Sequence, residues 1–272
     1  MASEIYEAAD SRRTALVTGA SAGIGKAYAE LLAERGFDVV LLARREARLR
    51  DLAAELGNKH DIAARVIRAD LADPEVPQSI YDQLQADGVA VDAVVNNAGY
   101  GIPEHYVDSA WADQARFVQV MATAPAHLMH LFLPGMIERG YGRIINVSSL
   151  GGLMPGMAGH TLYSGVKSFL VKTSQSLTIE LRDTGVHVTA ICPGFTYTEY
   201  HDVIGTRASV SKDYPGFMWM TAEEVARQGY DAVMAGKPVC VPGRLNSFYA
   251  GLMRLVPERL MMRTARPQVV GD

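Results

Sequence analysis

Short apolar runs alternate with amphipathic stretches along most of the chain. Several of the runs are rich in β-branched residues and lack strict polar alternation, as expected of strands covered on both faces of a parallel sheet. The strand-like runs read TALVTG, DVVLLA, ARVIRAD, VDAVVNN, GRIINVSS, GVHVTAICPG and KPVCVPG. Their alternation with helical stretches predicts an α/β fold, a single doubly wound domain with a seven-stranded, mostly parallel sheet and helices on both faces.

The amphipathic stretches between these runs predict the helices. They lie near residues 24–35, 45–56, 75–86, 111–138, 160–182 and 221–235. No internal repeat, low-complexity segment or linker interrupts the pattern before about residue 200. Residues 1–272 are therefore expected to form one domain.

Composition is that of an ordinary globular protein, with 49% apolar and 21% charged residues and a net charge of −4. The basic residues are scattered and form no stripe with interleaved aromatic residues, so nucleic-acid binding is not expected. The stretch MASEIYEAADSRR is too acidic for a signal peptide, and no apolar run reaches the roughly 18 residues of a membrane span. Cys192 and Cys240 lie in apolar runs and are interpreted as buried reduced thiols, which favours a cytoplasmic protein.

A glycine-rich turn joins the first predicted strand to the first predicted helix. TGASAGIG places Gly19, Gly23 and Gly25 where a chain needs unusual backbone angles and close approach of a phosphate. The following helix offers free N–H groups and a favourable dipole to an anion. A tight connection without a ligand is the alternative, but this position in an alternating chain favours a dinucleotide site.

The end of the second strand bears on the choice of coenzyme. Folds that bind NAD usually carry an acid here, whereas a 2′-phosphate requires that acid to be absent and an arginine nearby. The sequence LLARRE has Ala43 at this point, followed by Arg44 and Arg45. We therefore predict NADP(H), with Arg44 binding the phosphate and Ser21 assisting. The alternative is that these arginines only begin a solvated helix.

Five motifs resemble those of the classical short-chain dehydrogenase/reductase family. They are TGASAGIG, NNAG at 96–99, NVSS with Ser148 and Ser149, YSGVK, and PGFTYT at 193–198, and the likeness covers roughly residues 12–240. The resemblance implies an oxidoreductase on a Rossmann-like fold that assembles as a homodimer or homotetramer. No metal site is predicted.

The resemblance implies that Tyr163 is the general acid/base and that Ser149 polarises the substrate carbonyl or hydroxyl. It implies that Lys167 holds the nicotinamide ribose and acts on Tyr163, which lies one helical turn away in YSGVK. A lysine cation at about 4 Å contributes on the order of 4 kcal/mol, enough to bring a phenol pKa of about 10 towards neutrality. Ser148 should face the other side of its strand.

The coenzyme contacts follow the same motifs. In the family, NNAG borders the adenosine ribose and the PG segment with its threonines holds the nicotinamide carboxamide, while RADL after the third strand offers two residues to the adenine. The predicted coenzyme-binding residues are Gly19, Ser21, Gly23, Ile24, Gly25, Arg44, Asp70, Leu71, Asn97, Ala98, Gly99, Tyr163, Lys167, Pro193, Gly194, Thr196 and Thr198.

One position departs from the family pattern. Met121 stands where the family carries an asparagine that helps to seat a water between Lys167 and solvent, and a thioether is only a weak acceptor. Pro125 has no N–H to donate to the carbonyl of Met121. We therefore expect this freed oxygen to seat the relay water. The alternative is that Pro125 only bends a core helix and the relay is impaired.

The substrate end is less informative. Residues 12–198 form the expected core, and 199–220 correspond to the family's substrate lid, although the FMWM cluster is equally typical of a core helix turn. The extension 244–272 is amphipathic, and Pro257 favours packing within or between chains over contact with a membrane surface. Methionine-rich walls adapt to bulky apolar ligands. The predicted wall residues are Tyr100, His105, Tyr106, Met154, Met157, His160 and Leu162.

The sequence thus favours a carbonyl reductase that uses NADP(H) and is reversible as an alcohol dehydrogenase. It would transfer hydride between the nicotinamide and a hydrophobic ketone or secondary alcohol. The alternative is a catalytically impaired NADP(H)-binding regulatory protein, for which Met121 is the main argument.

Overall fold

The predicted strands form one parallel sheet in the computed structural model, which describes residues 12–102, 104–156, 161–199, 216–253, 256 and 259–260. The strands are β1 (Thr14–Thr18), β2 (Asp38–Ala43), β3 (Ala64–Arg68), β4 (Val91–Asn96), β5 (Gly142–Val147), β6 (Val186–Ile191), β7 (Thr196–Tyr197), β8 (Met220–Thr221) and β9 (Val239–Cys240). The seven-stranded sheet has the order β3-β2-β1-β4-β5-β6-β9, and β7 pairs with β8 separately. All of these strand pairs are parallel.

Helices connect the strands and cover the sheet. They are α1 (Gly23–Glu34), α2 (Glu46–His60), α3 (Val76–Ala86), α4 (Trp111–Val118), α5 (Ala124–Glu138), α6 (Thr161–Glu180), α7 (Ala222–Met234) and α8 (Arg244–Met253). The helix predicted over 111–138 is divided, because a π-helical segment, Gln119–Thr123, joins α4 to α5. Helix α8 lies in the C-terminal extension, where the sequence predicted only an amphipathic tail.

Two apolar cores lie on opposite faces of the sheet. Successive strand residues point to opposite faces, so Leu16 belongs to one core and Val17 to the other, and both are fully buried. One core is shared with α1, α2 and α7 through Tyr28, Leu49 and Val225. The other core is shared with α3, α4, α5 and α6 through Ile80, Phe117, Leu128 and Val166. This confirms the doubly wound fold.

The reversal of strand order places the ligand-binding crevice. Strand β1 lies between β2 and β4, so the connections on its two sides run in opposite directions across the sheet. In open α/β sheets, ligands bind at such a switch point, outside the carboxyl ends of the strands. The glycine-rich turn after β1 and the NNAG segment after β4 therefore meet at the same edge.

The helical stretch Trp111–Glu138 is long and apolar enough to cross a membrane by length and composition alone, with a mean hydropathy of 1.3 over 18 residues. The core helix of a soluble protein can be equally long and apolar. Phe117, Met121 and Leu128 are buried against the sheet, with exposures of 2%, 2% and 0%. The hydrophobicity of this stretch is therefore explained by its place in the core.

Gly229 allows α7 to pack closely on α1. A Cβ at this position would overlap the hydroxyl of Tyr28 and Cδ1 of Ile191, both fully buried. Close-packed interiors do not readily accept an added carbon. By contrast, a Cβ on Gly165, in α6, would enter open space.

We expect Gly229→Ala to lower the free energy of unfolding by about 1–3 kcal/mol because the added methyl overpacks the α1–α7 contact. The matched change Gly165→Ala should raise it by up to about 1 kcal/mol, because alanine is the better helix former. Guanidinium unfolding of both variants measures the two effects. Equal shifts in the two unfolding midpoints would contradict the close contact.

Candidate active site

The glycine-rich turn is fixed to the end of β4. Gly19 and Gly23 have positive φ angles of 68° and 56°, which a side chain would strain. Asn97 Nδ2 donates to Thr18 O at 3.0 Å and to Gly19 O at 3.3 Å. A Cβ on Gly25 would overlap Asn97 Nδ2 and Gly19 O. Asn97 therefore supports the turn through its side chain.

Thr18 is a supporting residue that the sequence reasoning missed. Its hydroxyl donates to Val95 O at 3.1 Å and accepts from the N–H groups of Asn97 at 2.9 Å and Ala98 at 3.0 Å. The side chain is 1% exposed. Its position directly before Gly19, in TGASAGIG, is the only sequence signal for this role.

The start of α1 fits a bound phosphate. Its N-cap is Ala22, which supplies no side-chain hydrogen bond, and the first turn contains no acidic residue. Helix α7 differs, because Thr221 and Glu224 form a capping box at its start. An uncapped helix start leaves N–H groups for an anion. Gly23 lies on this surface beside Thr198. A Cβ on Gly23 would stand 3.1 Å from the side chain of Thr198.

The structure brings Ser21 to Arg45 rather than to Arg44. Arg45 Nε donates to Ser21 Oγ at 3.1 Å. Arg45 and Arg48 also bind Glu199, whose pKa is lowered mainly by their hydrogen bonds. Arg44 is exposed at the end of β2. Ser21 therefore contacts Arg45, and the assignment of Arg44 and Ser21 to a coenzyme phosphate stays a prediction.

The RADL residues are placed differently from one another. Asp70 accepts hydrogen bonds from Arg116 Nη2 at 3.0 Å and from the N–H of Ala72 at 3.1 Å. Leu71 is 4% exposed and its side chain packs in the core. Leu71 therefore offers only its main chain to an adenine. Burial raises the pKa of the nearby Tyr100, and the positive charges of Arg116 and Arg44 oppose this effect.

Tyr163 and Lys167 lie on the same face of α6, as predicted. Lys167 Nζ is 5.7 Å from the centre of the Tyr163 ring and donates to Val147 O at 2.7 Å. Lys167 is 6% exposed. Burial lowers its pKa to about 8, with a small opposing effect from Cys192. The ammonium therefore titrates much closer to neutrality than that of an ordinary lysine.

Ser148 and Ser149 face opposite sides of the chain. Ser148 is 3% exposed and donates from Oγ to Lys167 O at 2.8 Å. Ser149 is half-buried and accepts from the N–H of Gly151 at 3.1 Å at the start of a 3₁₀ turn, Leu150–Gly152. Its hydroxyl proton is not used in that bond. Ser148 thus anchors α6, while Ser149 keeps a donor for a ligand.

Met121 lies in the π-helical segment and is 2% exposed. Its Sδ is 2.6 Å from where a Cβ on Gly99 would stand, so the thioether covers that glycine. The N–H of Ala124 bonds to Gln119 O, five residues earlier, as in a π-helix. The helix is therefore wider than an α-helix where Met121 replaces the family's asparagine.

A chain of buried polar side chains connects the elements that carry the predicted catalytic residues. Asn96 Nδ2 donates to Asn146 Oδ1 at 2.8 Å, and Asn146 Nδ2 donates to Ser174 Oγ at 2.9 Å. All three residues are at most 3% exposed. These bonds connect β4, β5 and α6, the elements that carry the NNAG, NVSS and YSGVK motifs.

The PG segment packs against α8. Asn246 is 5% exposed and donates from Nδ2 to Pro242 O at 3.0 Å. A Cβ on Gly194 would stand 2.9 Å from both polar atoms of the Asn246 side chain. Thr196 Oγ1 donates to Gly194 O at 3.1 Å. A side chain at position 194 would therefore have to displace the amide group of Asn246.

Part of the predicted lid packs on the strand before it. Trp219 is 8% exposed, and its ring lies 4.9 Å from that of Tyr197 and 5.4 Å from that of Phe195. Of the predicted wall, Met154 and Tyr106 are exposed and can meet a ligand. Met157, His160 and the lid residues 200–215 lie outside the described residues.

The two cysteines are free thiols. Cys192 is fully buried, and burial raises its pKa to about 12. Cys240 is half-buried, and burial also raises its pKa. Because the thiolate is the reactive form of cysteine, neither residue has the character of a nucleophile.

Comparison with known proteins agrees with this geometry. The family model described as short chain dehydrogenase matches residues 13–208. The chain belongs to the short-chain dehydrogenase family. The sequence resemblance is thereby confirmed, and an oxidoreductase with a nicotinamide coenzyme is supported.

Among its relatives, this short-chain dehydrogenase is similar to the very-long-chain 3-oxoacyl-CoA reductase of Homo sapiens. The two are 36% identical over 191 residues, which are 68% of this chain and 60% of that protein. The chain spans less than two thirds of the length of several curated relatives that it matches, 60–64% of each.

Two solved structures are also similar. A short-chain dehydrogenase from Sphingobium yanoikuyae in complex with NADPH has a TM-score of 0.79 and 29% identity, over 96% of this chain and 99% of that one. The bulky-bulky ketone specific alcohol dehydrogenase from Comamonas testosteroni has a TM-score of 0.73 and 29% identity, over 90% and 95% of the two chains.

The pKa of Lys167 makes the stability of the coenzyme-free short-chain dehydrogenase depend on pH. Below pH 8 the ammonium is charged in both the folded and the unfolded chain, so the penalty for burying it is complete. Between about pH 8 and 10.5 the folded chain loses the proton first, and the penalty is relieved.

We therefore expect the free energy of unfolding gained by Lys167→Met to be larger at pH 7 than at pH 10. The difference in unfolding free energy between variant and wild type should fall by up to about 3 kcal/mol over that range. Urea unfolding at several pH values measures it. Lys172→Met, which replaces an exposed lysine of the same helix, is the matched control for the loss of a lysine side chain. A constant difference for Lys167→Met would contradict the lowered pKa.

Proposed function

We propose that this protein is an NADP(H)-dependent carbonyl reductase, reversible as an alcohol dehydrogenase, that acts on hydrophobic ketones and secondary alcohols. The observation that carries the proposal is the placement of Lys167 Nζ 5.7 Å from the Tyr163 ring. Ser149, the other proposed catalytic residue, follows β5, whose last carbonyl binds the same ammonium. The uncapped start of α1 supplies the phosphate site at the same edge of the sheet.

In the proposed reaction, the bound nicotinamide supplies hydride to the substrate carbonyl carbon. The Tyr163 hydroxyl donates its proton to the carbonyl oxygen as negative charge develops there. The free proton of the Ser149 hydroxyl forms a hydrogen bond to the same oxygen. The Lys167 ammonium lowers the free energy of the phenolate that remains. The reverse reaction uses Tyr163 as the base.

Lys167 is suited to return a proton to Tyr163, because its pKa of about 8 allows exchange near neutrality. We propose that the relay continues through a water on the carbonyl oxygen of Met121. One feature supports this: Pro125, four residues after Met121, has no N–H to donate to that oxygen. In this arrangement the side chain of Met121 packs over Gly99, and its main-chain carbonyl accepts a hydrogen bond from the relay water.

The preference for NADP(H) is supported by the end of β2. Ala43 occupies the position where an acid would bind the hydroxyls of the NAD ribose, and Arg44 and Arg45 follow it. A guanidinium binds phosphate oxygens in a planar, bidentate geometry. The Sphingobium relative, whose structure contains NADPH, adds support.

The substrate class is supported by two compared proteins. Their names, very-long-chain 3-oxoacyl-CoA reductase and bulky-bulky ketone specific alcohol dehydrogenase, both describe a carbonyl with large neighbouring groups. In this chain, Met154 and Tyr106 present exposed apolar surface, and methionine adapts to irregular apolar ligands. We therefore propose ketones with at least one bulky apolar substituent.

A second candidate is a catalytically impaired regulatory protein that binds NADP(H). The observation in its favour is the thioether of Met121, which lies over Gly99 in place of an amide. The presence of Ser149, Tyr163 and Lys167 together argues against it.

We expect turnover of aromatic, steroid-like or acyl ketones with NADPH, followed as loss of NADPH absorbance. Tyr163→Phe should lower kcat by about 10²–10⁴-fold because it removes the proton donor. The affinity for NADPH should change by less than about twofold, since the ring remains. A wild-type protein that binds NADPH tightly but turns over no member of the panel would favour the regulatory candidate. Turnover gained by Met121→Asn would then identify the methionine as the cause.

Arg44→Ala should weaken NADPH binding by about 10–100-fold and leave NADH binding nearly unchanged, because a charge-assisted hydrogen bond contributes roughly 1.5–3 kcal/mol. Coenzyme fluorescence titrations measure both constants. Arg50→Ala is the matched control, since Arg50 is likewise exposed but lies within α2 and pairs with Glu46. If the preference for NADPH survived Arg44→Ala, the assignment of Arg44 to the phosphate would be wrong.

A further inference from the structure

The carboxylate of Glu199 joins the segment after β7 to the start of α2. Arg45 Nη1 donates to Glu199 Oε2 at 2.8 Å. Arg48 Nη1 donates to Oε1 at 2.7 Å and to Oε2 at 3.1 Å. One carboxylate is thus bound by two guanidinium groups that are far from it in sequence.

Arg45 is also oriented by the glycine-rich turn, because its Nε donates to Ser21 Oγ at 3.1 Å. The two guanidinium groups around the Glu199 carboxylate form a set of donors that suits a phosphate as well as a carboxylate. This set lies beside Arg44, at the end of β2 where the proposed function places the 2′-phosphate. Glu199 therefore occupies donors that the coenzyme phosphate would use.

The ion pairs of Glu199 are replaceable. The side chains of Arg45, Arg48 and Glu199 are 45%, 50% and 46% exposed. Ion pairs with this exposure contribute little to stability. A phosphate monoester carries about −1.5 to −2 charges near pH 7, more than a carboxylate. A bound 2′-phosphate is therefore the stronger partner for Arg45.

We propose that Glu199 is a coenzyme-selectivity residue whose carboxylate competes with the 2′-phosphate of NADP(H) for Arg45. The proposal rests on the proposed use of NADP(H). NAD(H) has no phosphate at this position, so it leaves the contact between Glu199 and Arg45 intact. Glu199 thus weakens binding of the phosphorylated coenzyme without affecting the other.

The competition also has a structural consequence. Glu199 follows Thr198, which contacts Gly23 at the start of α1. When a phosphate binds Arg45, Glu199 loses its hydrogen bond to the start of α2.

The test uses two adenosine ligands that differ only in the 2′-phosphate, 2′,5′-ADP and 5′-AMP, titrated by calorimetry into the full-length, coenzyme-free protein. Glu199→Gln should bind 2′,5′-ADP about three- to tenfold more tightly than wild type and bind 5′-AMP within twofold of it. The control is Glu55→Gln, because Glu55 lines the same groove as Glu199 and Arg48. It removes the same charge and should change neither affinity by more than twofold.

A double variant assigns the effect to Arg45. In the Arg45→Ala background, Glu199→Gln should no longer increase the affinity for 2′,5′-ADP. The proposal is wrong if Glu199→Gln leaves that affinity unchanged or weakens it, if Glu55→Gln has the same effect, or if the gain persists without Arg45. The proposed use of NADP(H) fails separately, if wild type and Glu199→Gln both bind 2′,5′-ADP no more tightly than 5′-AMP.

Discussion

One hydroxyl group holds together the two strand ends on which the coenzyme site is built. Thr18 Oγ1 binds Val95 O and accepts the N–H groups of Asn97 and Ala98. Each of these N–H groups, left unpaired in a buried position, would cost about 1–3 kcal/mol. The side-chain amide of Asn97 in turn donates hydrogen bonds to Thr18 O and Gly19 O. The geometry of the glycine-rich turn therefore depends on β4 as much as on the turn's own glycines.

Lys167 is held at both ends by neighbouring residues of β5 and the loop after it. Its ammonium donates to Val147 O, and its carbonyl accepts from Ser148 Oγ. The fold thus keeps a cation where burial disfavours its charge. Buried polar groups of this kind reduce stability, and they are tolerated where a reaction needs them. The same loop presents Ser149 on the opposite side, so the serine that anchors α6 is not the one proposed to bind the substrate.

Local patterns in the sequence were sufficient for the sheet, most of the helices and the proximity of Tyr163 to Lys167. Each of these depends on the period of apolar residues or on a short motif. Contacts between segments that are distant in sequence could not be predicted from local patterns. Nothing near Glu199 in sequence indicates Arg45 or Arg48, and Ser21 gave no signal of which arginine it would meet. The π-helical segment also went unpredicted, because Pro125 signals a disturbed helix but not its form.

Helix α8 contacts the PG segment, which the sequence assigns to the nicotinamide, because the side chain of Asn246 packs directly against Gly194. The strands and both apolar cores are complete before α8 begins. A chain that ended before Arg244 would therefore keep the strands and both cores but leave Gly194 without the buried amide that packs against it.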